Sequence, residues 1–287
     1  MIKNIYSLAR KIYHTVRGNY YHLKHKYFLS PEWKIRINDV VSCVDNKYIP
    51  RVKDAGRVQK NYQVMHNGIK VKKDGYYGIG ITKMLIKNKG VHEPQEERVF
   101  AYILNKMHQG ATIIELGAFW SFYSMWFLNE IKDGKAYLFE PDKANLAIGK
   151  LNFEANGFLG DFNNALIGDK VNLGTMPPTV TIDYVMDEKG IDFIDILHSD
   201  IEGFELAMLK GATQAIKQNK IGYFVISTHS NVNHYSCLDL LKENNFIIIC
   251  EADLSDTYSY DGVIVARSIN YAGIDPVNIS KKTTTIK

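Results

Sequence analysis

Cysteine is scarce: Cys43, Cys237 and Cys250 are the only three in 287 residues. The number is odd and no pair has C-x-x-C spacing, which excludes a disulfide framework and a thiolate zinc site and makes a reducing, cytoplasmic compartment the simplest expectation. Long apolar runs are lacking as well. No stretch approaches the roughly 20 residues of a membrane span, and the basic N-terminus has no apolar core followed by a cleavage site, so a soluble or at most peripheral protein is expected. Charge of one sign is in small excess, +4, too little to argue for nucleic acid without a local patch. Internal repeats and low-complexity linkers are absent. What remains, 46% hydrophobic and 23% charged residues, suits one large α/β domain with an extension.

From Ile2 to about Phe28, apolar residues recur at helical spacing, and the opposite face carries Lys3, Arg10, Lys11, Arg17, Lys24 and Lys26, with no acid before Glu32. Such a basic amphipathic helix can lie on an anionic membrane, here at the inner face, or pack on its own protein or on a second subunit, which leaves a homo-oligomer open. Asn67-Gly68, set between Tyr62–Met65 and Ile69–Val71, reads as a hairpin. His92-Glu93-Pro94-Gln95-Glu96-Glu97 opens a helix expected from about Glu93 to Gln109. Beyond Gly110, strands at Thr112–Leu116, Ala136–Phe139, Asp161–Ile167, Asp192–Ser199 and Gly222–Thr228 alternate with helices. The last pair, Phe246–Cys250 and Val263–Ala266, has no helix between its members and reads as an antiparallel hairpin at the sheet edge. Alternating βα units imply a parallel sheet wrapped by helices, with ligand chemistry at the carboxyl ends of the strands. The division expected is residues 1–92 as an extension of helix and short strands that caps an acceptor, 93–270 as the cofactor domain and 271–287 as a tail, disordered from Ser280 onward.

The run Ile113-Ile114-Glu115-Leu116-Gly117-Ala118-Phe119-Trp120-Ser121 is a buried strand, an acid, a glycine turn and a helix start. One strand later Phe139-Glu140-Pro141 places a carboxylate where it can accept from two ribose hydroxyls, at the spacing of a dinucleotide fold's ribose-binding acid. A pyrophosphate needs a bare glycine-rich helix start, whereas Phe119, Trp120 and Phe122 crowd this one. S-adenosylmethionine (SAM) has no phosphate and carries an ammonium and a sulfonium, so acids suit it. The composition of the turn therefore favours SAM over NAD.

At this point the chain resembles the FkbM family of SAM-dependent methyltransferases, over about Glu97 to Ala266. The motifs are Glu115-Leu116-Gly117-Ala118, Phe139-Glu140-Pro141, Asn152 with Asn156-Gly157, Ala165-Leu166-Ile167-Gly168, Asp200-Ile201-Glu202-Gly203-Phe204-Glu205 with Leu209-Lys210-Gly211-Ala212, and Thr228-His229. The resemblance implies a Rossmann-like class I methyltransferase with a mainly parallel seven-stranded sheet. SAM would lie over the first two strand ends, with Glu115 and Gly117 near its methionine part, Glu140 on the ribose, and residues near Asn164 and Ala165 by the adenine; Ala118, Phe119, Ser121, Pro141 and Asp200 complete the expected cofactor-binding set. Three departures stand out. Phe119 and Ser121 replace the asparagine and second glycine of a G-A-N-x-G turn, His198 stands where lysine is usual, and Ser227 where glutamate is usual.

At the reacting end, His198 and Asp200 share a strand face, and His229 ends the next strand. An acceptor hydroxyl must lose a proton. His229 is the first choice of base, His198 the second, and Asp200 the residue that orients the imidazole or touches the acceptor. The alternative gives His198, Asp200 and His229 to a divalent ion. His92, Glu93, His66 and Tyr77 are candidates to cap the acceptor, although Glu93, Glu96 and Glu97 also suit a helix start; His234 reads as structural. The resemblance implies O-methylation of a sugar hydroxyl in a surface polysaccharide or its precursor, or on a related small molecule; no nucleic acid is expected as acceptor, since the basic residues cluster on the terminal helix. A nicotinamide-dependent oxidoreductase and a non-catalytic scaffold with a degenerate cofactor site are the alternatives.

Overall fold

A computed structural model describes residues 29–283. The basic helix expected at residues 2–28, with the membrane contact assigned to it, lies outside them.

The extension opens with α1 (Pro31–Ser42), whose N-cap Ser30 accepts from the Trp33 amide. A three-stranded antiparallel sheet follows, β1 (Val58–Gln59), β2 (Tyr62–Val64) and β3 (Lys70–Lys72), the last two joined through the expected Asn67-Gly68 turn. Then come α2 (Ile79–Lys87) and α3 (Pro94–Leu104). Helix α3 ends a turn earlier than expected. Its last bonds, Lys106 N to Ile103 O and Met107 N to Leu104 O, tighten to three-residue spacing before the chain enters the sheet.

The remaining elements alternate: β4 (Thr112–Leu116), α4 (Phe122–Glu130), β5 (Lys135–Phe139), α5 (Lys143–Asn156), β6 (Asp161–Asn163), β7 (Leu166–Ile167), β8 (Thr179–Val180), α6 (Ile182–Lys189), β9 (Ile194–Ser199), α7 (Glu205–Lys210), α8 (Thr213–Lys217), β10 (Ile221–Thr228), α9 (Asn231–Glu243), β11 (Phe246–Ala252) and β12 (Gly262–Ser268). Seven of these strands form one sheet in the order β11-β12-β10-β9-β4-β5-β6. Pairing is parallel from β6 through β10, while β12 runs antiparallel to both β10 and β11. Strands β4, β9 and β10 are buried at every residue, because helices cover both faces. The chain runs outward from β4 through β5 to β6, then returns to β9 on the other side of β4. Strand order thus reverses between β4 and β9, the place where a doubly wound sheet opens a crevice at its carboxyl edge.

Two expectations are corrected. The third strand is not continuous over 161–167: the Asn164 side chain donates to the carbonyls of Glu140 (3.0 Å) and Pro141 (2.7 Å), and the chain leaves the main sheet, β7 pairing with β8 instead. The tail is fastened at Ser280 and Lys282, residues 284–287 lying outside the described ones. Buried Asp45 accepts from the Ser280 amide (2.9 Å), Gln95 donates to the Ser280 carbonyl (2.6 Å) and Lys282 pairs with Asp39 (2.8 Å).

The extension and the sheet with its helices share one core, in which Ile37, Met65 and Met84 pack with Phe100, Phe122, Leu138 and Val225. Two asparagines of α5 fasten the seam. Asn152 Oδ1 accepts from the Lys72 amide (2.7 Å), and Asn156 pairs with both the amide and the carbonyl of Lys70, so each side chain completes the bonding of edge strand β3. Among the described residues no helix is long and apolar enough to cross a membrane.

Candidate functional site

The turn after β4 sets the geometry. Gly117 has φ +69°, and a Cβ there would lie 1.7 Å from the Asp200 carbonyl oxygen, so no other residue fits. The amides of Gly117 and Ala118 both donate to Phe139 O, and the Asp200 amide donates to Leu116 O, clamping the turn between the ends of β5 and β9. Glu140 is buried at the end of β5. Its two carboxylate oxygens accept from the Phe119 amide (3.2 Å) and the Asp142 amide (2.8 Å), and its pKa is raised by burial against those bonds.

Above these strand ends lies a cleft of about 290 Å³. Gly117, Phe119, Glu140, Pro141, Ala165 and Asp200 line it, as the sequence reading expects, and so do Tyr76 and Tyr77 from the extension, Asn145 from α5 and the apolar Leu166 and Ile167. Among the cleft-lining residues Glu140, Asp200 and Glu202 are acids and none is Lys or Arg. That lining suits a ligand with positive charge and leaves a pyrophosphate without a counter-charge.

The other expected cofactor residues stand off this wall. Ala118 is buried in the clamp, and Asn164 braces the loop from behind. Ser121 lies beneath Phe119 in the left-handed conformation, φ +61°, with its hydroxyl buried and unpartnered. That conformation is the one a second glycine would relieve. Glu115 lines a separate space of only about 10 Å³ under the cleft, with His92, Glu93, Trp120 and Tyr123; its carboxylate accepts from the Ser124 amide (2.9 Å), and burial raises its pKa. Asp200 and His198 both reach this space, but His198 does not reach the cleft.

His198 stacks on Tyr123, centroids 4.1 Å apart, and its Nε2 lies 2.8 Å from Glu96 Oε1. The other Glu96 oxygen accepts from Ser227 Oγ (3.1 Å). The two departures on neighbouring strands are thus joined by one carboxylate that comes from α3, while His198 Nδ1 is buried without a partner and away from the cleft.

His229 is enclosed by acids. Its Nδ1 is 2.8 Å from Glu205 Oε1, and its Nε2 is 3.2 Å from Asp200 Oδ1, 3.5 Å from Asp261 Oδ1 and 3.6 Å from Glu202 Oε2. Fully buried Glu205 is itself fixed, accepting from the Gly203 amide (2.9 Å) and from Asn233 Nδ2. Burial would lower the His229 pKa, but the bonds to Asp200 and Glu205 and the charge of Asp261 lift it to about 11. With both nitrogens donating, the ring has no lone pair to offer. His229, the first choice of base, is thus held protonated by its carboxylate neighbours. Asp261 has the opposite character, for burial and the Asp200 charge raise it, against the His229 charge, to about 7.

Among the described residues no three His, Cys, Asp or Glu side chains are grouped to hold a metal ion. Of the cap candidates, Tyr77 reaches the cleft and donates to Glu202 Oε1 (3.0 Å), whereas His92 and Glu93 lie at its floor. Burial opposes it, but Glu93 and Glu97 hold His92 protonated up to about 10. His66 faces another cavity, its Nε2 3.2 Å from Glu97. Glu97 serves the helix start, accepting from the amides of His92 (2.8 Å) and Glu93 (3.0 Å). His234 is structural: Thr228 Oγ1 lies 2.9 Å from its Nδ1. Sequence reasoning missed Tyr76, Asp261 and the bridging role of Glu96. Asp261 had no signal beyond an acid before a glycine.

Residues 149–248 match the family model described as the methyltransferase FkbM domain, the family that the motifs resemble. No curated protein matches. Among solved structures the chain is similar to precorrin-6y C5,15-methyltransferase from Geobacter metallireducens GS-15 at 13% identity, covering 60% of this chain and 88% of that one, with a TM-score of 0.43. It is similar to M. capricolum TrmK in complex with S-adenosyl-homocysteine (15% identity, 60% and 69% covered, TM-score 0.40). It is also similar to the METTL16 MTase domain (12% identity, 72% and 87% covered, TM-score 0.46). The fold is that of a Rossmann-like class I methyltransferase.

Proposed function

We propose that this FkbM-domain protein transfers a methyl group from SAM to a hydroxyl oxygen of a sugar, in a surface glycan or its precursor. The observation that carries the cofactor part is the acid-lined, cation-free cleft at the strand-order reversal, closed on one side by a turn that only Gly117 can make. Glu140 would hold the ribose hydroxyls, the Ala165–Ile167 strip the adenine, and Asp200 with the Gly117 turn the methionine end. When bound, SAM supplies an electrophilic methyl group on a positively charged sulfur. The same lining speaks against a nicotinamide dinucleotide, whose two phosphates would face Glu140, Asp200 and Glu202.

The sugar is supported by the rim. Tyr77 and Phe204 line the cleft and are exposed, and Tyr260, also exposed, precedes Asp261; they offer ring faces to the C–H face of a pyranose, while carboxylates and an imidazolium offer hydrogen-bond partners for hydroxyls. Asp261 takes the hydroxyl proton, since it lies beside Asp200 and His229 and burial raises its pKa to about 7. His229 stays protonated and steadies the charges of Asp200 and Asp261. A nucleic-acid acceptor is disfavoured because its phosphates would meet Asp200, Glu202 and Asp261.

Calorimetry tests the cofactor part. S-adenosylhomocysteine should bind, NADH should not, and Gly117→Ala should abolish binding while the protein stays folded. Mass spectrometry of a sugar panel incubated with methyl-labelled SAM tests the reaction; binding without transfer to any sugar would leave the scaffold reading.

A further inference from the structure

Helix α1 carries Arg36 against the loop that leads into Asp261. Its guanidinium lies 5.1 Å from the Trp33 ring centroid and 4.7 Å from that of Tyr260, held between two aromatic rings. Trp33 is itself fixed, since its ring lies so close to α2 that a Cβ on Gly80 would come within 2.3 Å of it. Among the described residues no carboxylate lies within ion-pair distance of Arg36, and its buried Nε has no hydrogen-bond partner. The guanidinium is nevertheless near the site, because Tyr260, whose ring it faces, immediately precedes Asp261, whose Oδ1 lies 3.5 Å from His229 Nε2, itself 3.2 Å from Asp200 at the cleft. An arginine whose only contacts of this kind are ring faces keeps its planar N–H edge for something else. That edge suits the paired oxygens of a carboxylate or a phosphate.

We propose that Arg36 recognises an anionic group, a carboxylate or a phosphate, carried by the acceptor a short distance from the hydroxyl that is methylated. The inference rests on the sugar O-methyltransferase reading above and narrows its substrate class to charged sugars: uronic acids or sugar phosphates, the latter including nucleotide-linked sugars. It also gives the extension a task. The acids at the mouth face the reacting hydroxyl, and the arginine, set apart from them by the Tyr260 ring, orients the charged end. Only an acceptor with both features is held in register.

The test is calorimetry in saturating S-adenosylhomocysteine with matched sugars: glucose and galactose, their uronates, and their 1-phosphates. The uronates or the 1-phosphates should bind at least ten-fold more tightly than the neutral parents, and which of the two does so identifies the anion. Arg36→Gln should erase that preference and Arg36→Lys retain part of it, with S-adenosylhomocysteine affinity and melting temperature unchanged in both. A merely structural arginine would shift melting and leave the preference alone. Equal affinity for charged and neutral sugars, no binding by any charged sugar, or a preference that survives Arg36→Gln overturns the inference. Failure of the wild type to bind S-adenosylhomocysteine would instead overturn the cofactor reading.

Discussion

At the scale of single residues, the site depends on where four carboxylates leave the proton of one imidazole. Glu205 and Asp200 take the two N–H bonds of His229, so the proton that a free histidine would lose near neutrality is retained up to about 11. Asp261, the third neighbour, is raised to about 7 and is the group that titrates in the working range. The sign of the pH dependence follows. Below about 7 Asp261 holds its proton and cannot accept another; above it, the carboxylate is free while His229 is still charged. The rate should therefore rise with pH through about 7 and stay level until His229 loses its proton near 11. Asp261→Asn should lower kcat by roughly 10²- to 10⁴-fold, the usual worth of a general base, and remove the rise near neutrality. The measurement is a kcat/KM profile of both proteins, and a variant that keeps both rate and rise removes Asp261 from the mechanism.

At the scale of elements, Glu96 joins three of them, reaching from α3 to His198 on β9 and Ser227 on β10. All three side chains are buried. Taking one partner from a buried charged contact leaves the other uncompensated, so Glu96→Ala should destabilise the protein by about 3–5 kcal/mol. Glu96→Gln, which can still accept from Ser227, should cost less. Urea unfolding measures both; a Glu96→Ala midpoint equal to wild type would mean that His198 finds another partner. The same bridge marks the limit of what the sequence discloses. Strand periods, the Gly117 turn and the acid ending β5 are local patterns, and they were legible because each residue's role is set by its neighbours in the chain. The break at Asn164 was not, since it arises from two carbonyls on the Glu140-Pro141 loop. Nor was the pairing of His198, whose partner lies 102 positions away, or the enclosure of His229 by Asp261, which depends on how the β11–β12 loop folds back. Asn152 and Asn156 stood out as a motif, but their use in closing the edge of β3 needed that strand in place.

At the scale of the whole molecule, the extension is part of the enzyme's interior. Its Tyr76 stacks on Trp120 of the cofactor turn, centroids 4.3 Å apart and planes within 6°, and Ile37, Met65 and Met84 belong to the core that holds Phe100 and Phe122. Asp45 ties the tail to α3 by accepting from Arg98 and Ser280. Unfolding residues 29–92 alone would expose the face of α3 and α4 beneath them to water, at about 25 cal/mol per Å² of apolar surface, with no compensating contact. Extension and sheet should therefore unfold together. Trp33 reports on α1, and Trp126 on α4. Variants keeping only one of the two, with the other tryptophans replaced by Phe, should each have a lowered urea midpoint yet give fluorescence transitions that coincide with their own circular dichroism. If the Trp33 signal were lost at a lower urea concentration than the helical signal, the extension would be a separately folding cap. The acceptor mouth it completes through Tyr76, Tyr77 and Arg36 would then open without disturbing the cofactor cleft.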